Sequence, residues 1–173
     1  ACDSPEMQKI YQLAQEYDVP VLMHWQHGRF NLGLDRFHKM LEKYPKVTFI
    51  GHAQTWWANI DRNHTDQTVM YPKSEVTPGG ITDRLLSDYP NMYADLSAGS
   101  GLNSMTRDEE QAVDFLQRHQ DKILYGSDCA DKDGLDHSAC QGYKTIQTVK
   151  RLSASKSIER KILYENAKRL FRI

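Results

Sequence analysis

The sequence predicts an α/β fold in which helices alternate with four parallel strands. Two observations support this prediction. Four short apolar runs, at 19–24, 46–52, 92–97 and 122–125, have the length and composition of buried strands. Each run follows a segment whose apolar residues recur at helical spacing. Strands that alternate with helices form a parallel sheet, and the functional residues of such sheets lie at the carboxyl ends of the strands.

Helices are expected at six places. The first begins after Ser4, a residue suited to cap a helix, and has Pro5 at its first position. The others are expected at 34–44, 81–89, 107–119, 143–152 and 157–171. The connection 53–80 is long enough to be either functional or unstructured, and 98–104 is expected to be a loop of small residues. We therefore expect residues 1–173 to form a single domain.

The composition limits the possible partners. The 173 residues have a net charge of −1 with basic and acidic side chains interspersed, so neither a nucleic acid nor an anionic membrane surface is expected as a partner. The longest apolar runs have about five residues, far fewer than the roughly 20 that cross a bilayer, and the first residues do not resemble a signal peptide. We expect a soluble chain, and its cellular location is left open.

Three cysteines, Cys2, Cys129 and Cys140, are too few for a disulfide framework. We expect them to be thiols, although Cys129 and Cys140 would be able to close a small loop in an oxidising compartment. No phosphate-binding glycine pattern, nucleophile elbow or Cys-His pair with a recognisable context occurs in the sequence.

Three of the predicted strands end at or near a residue that can bind a metal. His24 ends the first strand, His52 ends the second, and Asp128 follows the fourth after a Gly-Ser step. Because side chains alternate between the faces of a strand, His24 shares a face with Leu22, and Asp128 with Leu124. Parallel strands that end at one level would bring the three residues together, which predicts a metal site. For any one of these histidines, the alternative is a hydrogen-bonded structural role.

Three further residues are candidates for substrate binding, and each has a simpler alternative. Asp95, on the third strand, would line the pocket or cap the loop that follows. Arg29, in the loop after His24, would bind a substrate carboxylate or lie on the surface. Trp56 would form an apolar pocket wall or pack in the core. His27 is expected to be exposed or hydrogen-bonded rather than a ligand.

Six features occur in a fixed order along the chain. They are His24 at a strand end, Phe-His-Lys-Met-Leu-Glu-Lys-Tyr-Pro at 37–45, Phe-Ile-Gly-His at 49–52, Tyr-Ala-Asp-Leu-Ser at 93–97, Tyr-Gly-Ser-Asp at 125–128 and Asn-Ala-Lys-Arg-Leu-Phe at 166–171. Together they resemble the carboxyl-terminal half of the amidohydrolase-related, metal-dependent hydrolases. Those proteins are (β/α)8 barrels, which typically need about 250 residues. The resemblance therefore implies half of a TIM-like barrel, with four strands and a C-terminal helix.

The resemblance also implies roles for the strand-end residues. His24 would be a metal ligand, Asp128 a ligand or the base that acts on an activated water, and His52 a ligand or a proton shuttle. The divalent metal would be zinc, with manganese and iron as alternatives. The His-x-His pair that these hydrolases have on their first strand has no counterpart here. Two more histidines from a missing half would complete the site.

The reaction and the partners follow from the same resemblance. We expect hydrolysis of a small amide, lactone or ester by a metal-activated water. The alternative within the family is non-oxidative decarboxylation of an aromatic or unsaturated carboxylic acid, with His52 as proton donor and Arg29 in a carboxylate pocket. A third possibility is a catalytically incomplete fragment or interaction module. The unpaired strand edges imply that the missing barrel half, in a longer chain, or a second copy covers them.

Overall fold

A four-stranded parallel sheet lies at the centre of the protein. The computed structural model describes residues 1–130 and 140–173, and within them the strands are β1 (Val21–His24), β2 (Phe49–His52), β3 (Met92–Asp95) and β4 (Ile123–Leu124). The strands lie in the order β1-β2-β3-β4, and each neighbouring pair is parallel. The predicted α/β class with four parallel strands is confirmed, although each strand is shorter than the run predicted for it.

Helices precede, connect and follow the strands. Those of the described residues are α1 (Pro5–Tyr17), α2 (His38–Lys43), α3 (Gln54–Ala58), α4 (Ile81–Asp88), α5 (Ala98–Thr106), α6 (Glu109–Arg118), α7 (Gln141–Leu152), α8 (Lys156–Arg160) and α9 (Asn166–Phe171). A 3-10 turn at Leu34–Arg36 precedes α2, and a π-helical segment at Lys161–Glu165 joins α8 to α9. Within 1–130 and 140–173, no helix has the length and apolar character needed to cross a membrane.

Side-chain caps start several of these helices. Ser4 accepts a hydrogen bond from the amide of Met7, and Pro5 occupies the first position of α1. Asp108 caps α6 in the same way. Ser155 caps α8, so the final helical region begins slightly before the predicted boundary at residue 157.

Two segments that were expected to be loops contain helices. Residues 98–104 lie in α5, and the long connection 53–80 begins with α3. The glycine at position 101 accounts for the small residues of α5, because a Cβ there would lie 2.3 Å from the carbonyl oxygen of Leu96. The small residue lets α5 pack directly against the end of β3. The sequence also predicts a loop at 129–142, and residues 131–139 of it lie outside the described residues.

Aromatic rings pack the first helices against the sheet. The ring of Tyr11 in α1 lies 5.0 Å from that of Phe49 in β2, and the ring of Phe37, just before α2, lies 5.3 Å from it. All three side chains are completely buried. Burial of a side chain of this size contributes about 1.5–3 kcal/mol. The cluster therefore fixes β2, and with it the strand end at His52.

One edge of the sheet is apolar and open. Over the described ranges, β1 pairs with β2 alone. Beside it, α1, β1 and the turn between them expose five apolar side chains, namely Ile10, Leu13, Tyr17, Val19 and Leu22. Tyr17 is 69% exposed and Leu22 is 53% exposed. An apolar surface next to an unpaired strand is typical of a region that another element covers.

A buried carboxylate joins α4 to the end of α6. Oδ1 of Asp83 lies 2.6 Å from Nη1 of Arg118 and 2.7 Å from Nε2 of His119. Its Oδ2 accepts a hydrogen bond from the amide of Gly79. Burial alone would raise the pKa of Asp83, but these hydrogen bonds outweigh burial and lower the pKa from 3.8 to about 2.

Acid should destabilise the protein through this carboxylate. Because the pKa of Asp83 is lower in the folded chain than in the unfolded chain, its stabilisation is present above about pH 4 and is lost as the pH falls towards 2. We expect Asp83→Asn to lower the free energy of unfolding by about 2–4 kcal/mol at neutral pH, since Arg118 and His119 lose a buried partner. Urea unfolding at a series of pH values measures both effects.

Asp114→Asn is the matched control, because Asp114 is an exposed carboxylate on α6. Equal stability of Asp83→Asn and the unchanged protein at neutral pH would contradict this account of the buried cluster.

Candidate active site

Parallel pairing brings the two strand-end histidines side by side. His24 and His52 are register partners at the last positions of β1 and β2. Their ring centroids lie 5.0 Å apart, and the ring planes are tilted by 59°. Gly51 pairs with Ala94, so the next residue of β3, Asp95, lies beside His52. The three side chains share the carboxyl edge of the sheet.

Asp95 and Ser97 hold the ring of His52. Nδ1 of His52 lies 2.8 Å from Oδ1 of Asp95 and 3.0 Å from Oγ of Ser97. The Ser97 hydroxyl also lies 3.0 and 3.1 Å from the two carboxylate oxygens of Asp95. All three residues are buried. The network engages Nδ1, so Nε2 is the ring nitrogen left for a metal or a substrate.

The network also favours the protonated form of His52. Burial lowers the pKa of His52, but the hydrogen bond to Asp95 and the negative charges of Asp95 and Asp128 outweigh burial and raise the pKa above its ordinary value of 6.5. The protonated form of the ring is therefore stabilised relative to that of a solvent-exposed histidine. A histidine in this state is suited to donate a proton.

His24 lies in a more open environment. The residue is partly exposed, and its Nε2 lies 3.3 Å from Oε1 of Gln26. The ring of Phe30 packs edge-on against the imidazole with centroids 5.2 Å apart. The side-chain amide of Asn31 donates a hydrogen bond to the carbonyl of His24. The turn after β1 thus folds back over the strand end and leaves the imidazole accessible.

A glycine lets the chain after β4 pass close to Asp95 and Ser97. A Cβ on Gly126 would lie 3.0 Å from Cβ of Ser97 and 3.6 Å from Oδ2 of Asp95. Asp128 follows two residues later and is exposed. The negative charge of Asp128 interacts with His52 and helps to raise its pKa. Asp128 therefore lies at the same edge of the sheet as the two histidines.

Four non-glycine residues near this edge have positive φ angles. The values are 47° at Asn31, 79° at Ala53, 60° at Ala98 and 43° at Asp128. Such conformations cost of order 1–3 kcal/mol each. Ala53 directly follows His52, and Ala98 directly follows Ser97, so the chain turns away from the sheet immediately after the residues that it positions. Strained backbone of this kind clusters at functional sites.

Sequence comparison identifies the family. The family model described as Amidohydrolase matches residues 3–173. The chain belongs to the amidohydrolase family. The family predicted from the order of the strand-end motifs is thus confirmed. Comparison with curated protein sequences gave no match.

Solved structures with a similar fold are almost twice as long as this amidohydrolase chain. A Pseudomonas putida protein assigned as a 2-pyrone-4,6-dicarboxylic acid hydrolase has a TM-score of 0.55 at 12% identity, with 98% of this chain and 57% of the other covered. A 2,6-dihydroxybenzoate decarboxylase in complex with 2,6-dihydroxybenzoate has a TM-score of 0.52 at 15% identity, with 99% and 56% covered. A dihydroxybenzoic acid decarboxylase from Polaromonas sp. JS666, with bound manganese and the inhibitor 2-nitroresorcinol, has a TM-score of 0.51 at 17% identity, with 99% and 55% covered.

The chain thus spans just over half the length of these proteins. At such identities the likeness shows the fold alone. It confirms the predicted half of a (β/α)8 barrel, because the four parallel strands and their helices superimpose on about one half of each neighbour.

The site of this amidohydrolase chain fits a divalent metal in part. Two imidazoles and a carboxylate are donors that zinc and manganese accept. The contact between Nδ1 of His52 and Asp95 has the form found behind metal-binding histidines. Among residues 1–130 and 140–173, however, no three His, Cys, Asp or Glu side chains are arranged to hold an ion by themselves. The ligand set of His24, His52 and Asp128 stays a prediction, and it needs further donors.

The three predicted substrate-binding residues lie in different surroundings. Asp95 is buried and its carboxylate is engaged by the network described above, so it positions a neighbouring side chain. Trp56 is completely buried and its ring packs against Gly51, so it follows the alternative in which the side chain packs in the core. Arg29 is exposed in the turn after His24. Of the three, Arg29 alone is open to a ligand in this chain.

Three partners of the site are absent from the set predicted by sequence. Ser97 completes the hydrogen-bond network, and Gln26 contacts His24. Each lies two residues beyond a predicted site residue, so the alternation of strand faces is the signal that would have indicated both. Trp57 donates its indole N–H to the carbonyl of Asp95 at 2.8 Å. Nothing in the sequence distinguishes that tryptophan from its neighbour.

Removal of the Asp95 carboxylate should lower the pKa of His52. In Asp95→Asn the side chain keeps its shape but loses its negative charge, so the effect of burial is less strongly opposed. Ser97→Ala is the matched control, and it should lower the pKa less because the hydroxyl is uncharged. NMR titration of His52 in metal-free protein measures both changes. The same His52 pKa in Asp95→Asn as in the unchanged protein would contradict the assigned contact.

Proposed function

We propose that this chain supplies proton-transfer and metal-binding residues to a metal-dependent hydrolase that acts on a small amide, lactone or ester. The observation that supports the proposal most directly is the buried contact between Nδ1 of His52 and Asp95, at the sheet edge shared with His24. That contact favours the protonated ring and leaves Nε2 for proton transfer. General acid catalysis by a positioned histidine typically contributes about 10²–10⁴-fold to a rate.

His24 and Asp128 are the proposed metal-binding residues, and His52 is either a third donor or a proton shuttle beside the metal. A divalent cation, when bound, supplies Lewis-acid activation of water. Zinc is the first expectation, with manganese and iron as alternatives. The manganese of the Polaromonas decarboxylase supports a divalent ion in general and not zinc in particular.

The residues of this chain account for the proton transfers of hydrolysis. The Asp128 carboxylate accepts a proton from the attacking water, whose oxygen bonds to the carbonyl carbon. Nε2 of His52 donates a proton to the leaving nitrogen or oxygen as its bond to that carbon breaks. Asp95 stabilises the imidazolium before this transfer and keeps Nδ1 protonated after it.

Non-oxidative decarboxylation of an aromatic or unsaturated carboxylic acid is the second candidate. The raised pKa of His52 suits protonation of the carbanion that forms when carbon dioxide leaves. The exposed guanidinium of Arg29 is suited to bind a carboxylate. These two observations keep decarboxylation beside hydrolysis as a reaction of the same site.

A further polypeptide segment is needed to complete the proposed site. The chain spans just over half of its structural neighbours. The apolar edge formed by α1 and β1 lies open on the side where another strand would pair. The missing barrel half of a longer chain, or a second copy, would cover this edge and supply further ligands. Without such a segment, the third possibility is a catalytically incomplete interaction module.

Metal content tests the proposed ligands. In the assembly that completes the barrel, we expect stoichiometric zinc or manganese, and we expect His24→Ala and Asp128→Ala to weaken metal binding by at least about tenfold, because each removes a donor. His38→Ala and Asp114→Ala are matched controls, since they remove a histidine and a carboxylate from α2 and α6. Elemental analysis with circular dichroism separates ligand loss from unfolding. If the unsubstituted protein binds no metal at a saturating metal concentration, the result would support the catalytically incomplete interaction module.

Product analysis separates the two reactions. With a panel of lactones, esters, amides and hydroxybenzoic acids, hydrolysis incorporates oxygen from isotopically labelled water and releases no carbon dioxide. Decarboxylation releases carbon dioxide without adding water. For the assembly that completes the barrel we expect the first pattern, and His52→Gln should reduce its rate by about 10²-fold or more. Carbon dioxide release without oxygen incorporation would reject the hydrolase.

A further inference from the structure

Two cysteines lie in contact beside the candidate active site. Sγ of Cys129 lies 2.7 Å from Sγ of Cys140, which is closer than the van der Waals contact of two sulfur atoms. Neither cysteine is part of a disulfide in this structure, and both are partly buried. Cys129 directly follows Asp128 along the chain. The contact therefore lies next to a proposed catalytic residue.

Packing on the Cys129 side fixes the chain between β4 and this thiol. Gly126 lies against the side chains of Asp95 and Ser97, where a Cβ would be crowded. The carbonyl of Ser127 accepts a hydrogen bond from the amide of Ala98, the first residue of α5. Both contacts tie the segment to the end of β3.

Packing on the Cys140 side fixes the start of α7. Cys140 is the N-cap residue, and its sulfur accepts a hydrogen bond from the amide of Tyr143. A Cβ on Gly142 would lie 2.5 Å from Cβ of Ser127 and 3.0 Å from the hydroxyl oxygen of Tyr125. The start of α7 thus packs directly on the segment that leads to Cys129. The two sulfur atoms are held together by this packing.

We propose that Cys129 and Cys140 are a site of reversible disulfide modification. A low-molecular-weight disulfide such as oxidised glutathione is the oxidant. One cysteine thiolate attacks a glutathione sulfur, forms a mixed disulfide and releases one glutathione thiolate. The second cysteine thiolate then attacks the protein sulfur of that mixed disulfide and releases the second glutathione. Two protein thiols and one oxidised glutathione give one protein disulfide and two reduced glutathiones.

The contact geometry favours the second step over a lasting mixed disulfide. Because the attacking sulfur is already next to its target, the step is intramolecular and needs no large movement of the chain. The new bond would join the segment that bears Asp128 to the start of α7. Reduced glutathione or another thiol reverses the reaction by the same exchange.

Peptide mapping after oxidation tests the proposal. The metal-free protein is incubated with oxidised glutathione, alkylated and digested, and the peptides are identified by mass spectrometry. We expect a peptide pair linked through Cys129 and Cys140 to exceed glutathione adducts of either cysteine by about tenfold or more. Treatment with dithiothreitol should restore both thiols. Glutathione adducts on both residues without the link would overturn the proposal.

Single substitutions give the matched controls. In Cys140→Ser the link disappears and Cys129 should accumulate as a stable glutathione adduct. Cys2→Ser should leave the link unchanged, because Cys2 is completely buried and its thiol donates a hydrogen bond to the carbonyl of Gly33. A link that involves Cys2 instead would also overturn the proposal. The mass readout needs no metal or substrate, so failure of the proposed function and failure of the disulfide are distinguishable.

Discussion

The parallel pairing of β1, β2 and β3 is the constraint on which the candidate site depends. It places the last residues of the strands at one level, so His24, His52 and Asp95 meet without help from long loops. A slip of one residue in the β1–β2 register would turn one imidazole to the other face of the sheet. The buried ring of Phe49, packed between those of Tyr11 and Phe37, resists such a slip because β2 cannot move without opening the core.

The site has a rigid part and an open part. His52 is buried and held at Nδ1 by a carboxylate that also accepts a hydrogen bond from Ser97, which fits the proton transfer proposed for it. His24, Arg29 and Asp128 are partly or fully exposed, which fits the metal-binding and substrate-binding roles proposed for them.

The sequence predicts those features that follow from periodicity. Alternating apolar runs and helical stripes indicate the strand order, and the period of two places His24 and His52 on one edge. The contact of Asp95 with His52 depends on strand register, which periodicity does not report. The burial of Trp56 depends on how closely its ring can approach Gly51, which periodicity does not report either. Helix α5 is not evident from the sequence, because glycine and serine are weak helix formers. Its small residues are required instead by the close packing at Gly101.

Nuclear Overhauser spectroscopy of the assigned imidazole protons tests the shared strand edge most directly. With ring centroids 5.0 Å apart, the rings of His24 and His52 should give a cross-peak. The proton on Nδ1 of His52 should be protected from exchange by Asp95. Absence of the cross-peak together with rapid exchange at Nδ1, in a folded protein, would show that the strands do not end together and would contradict the proposed site.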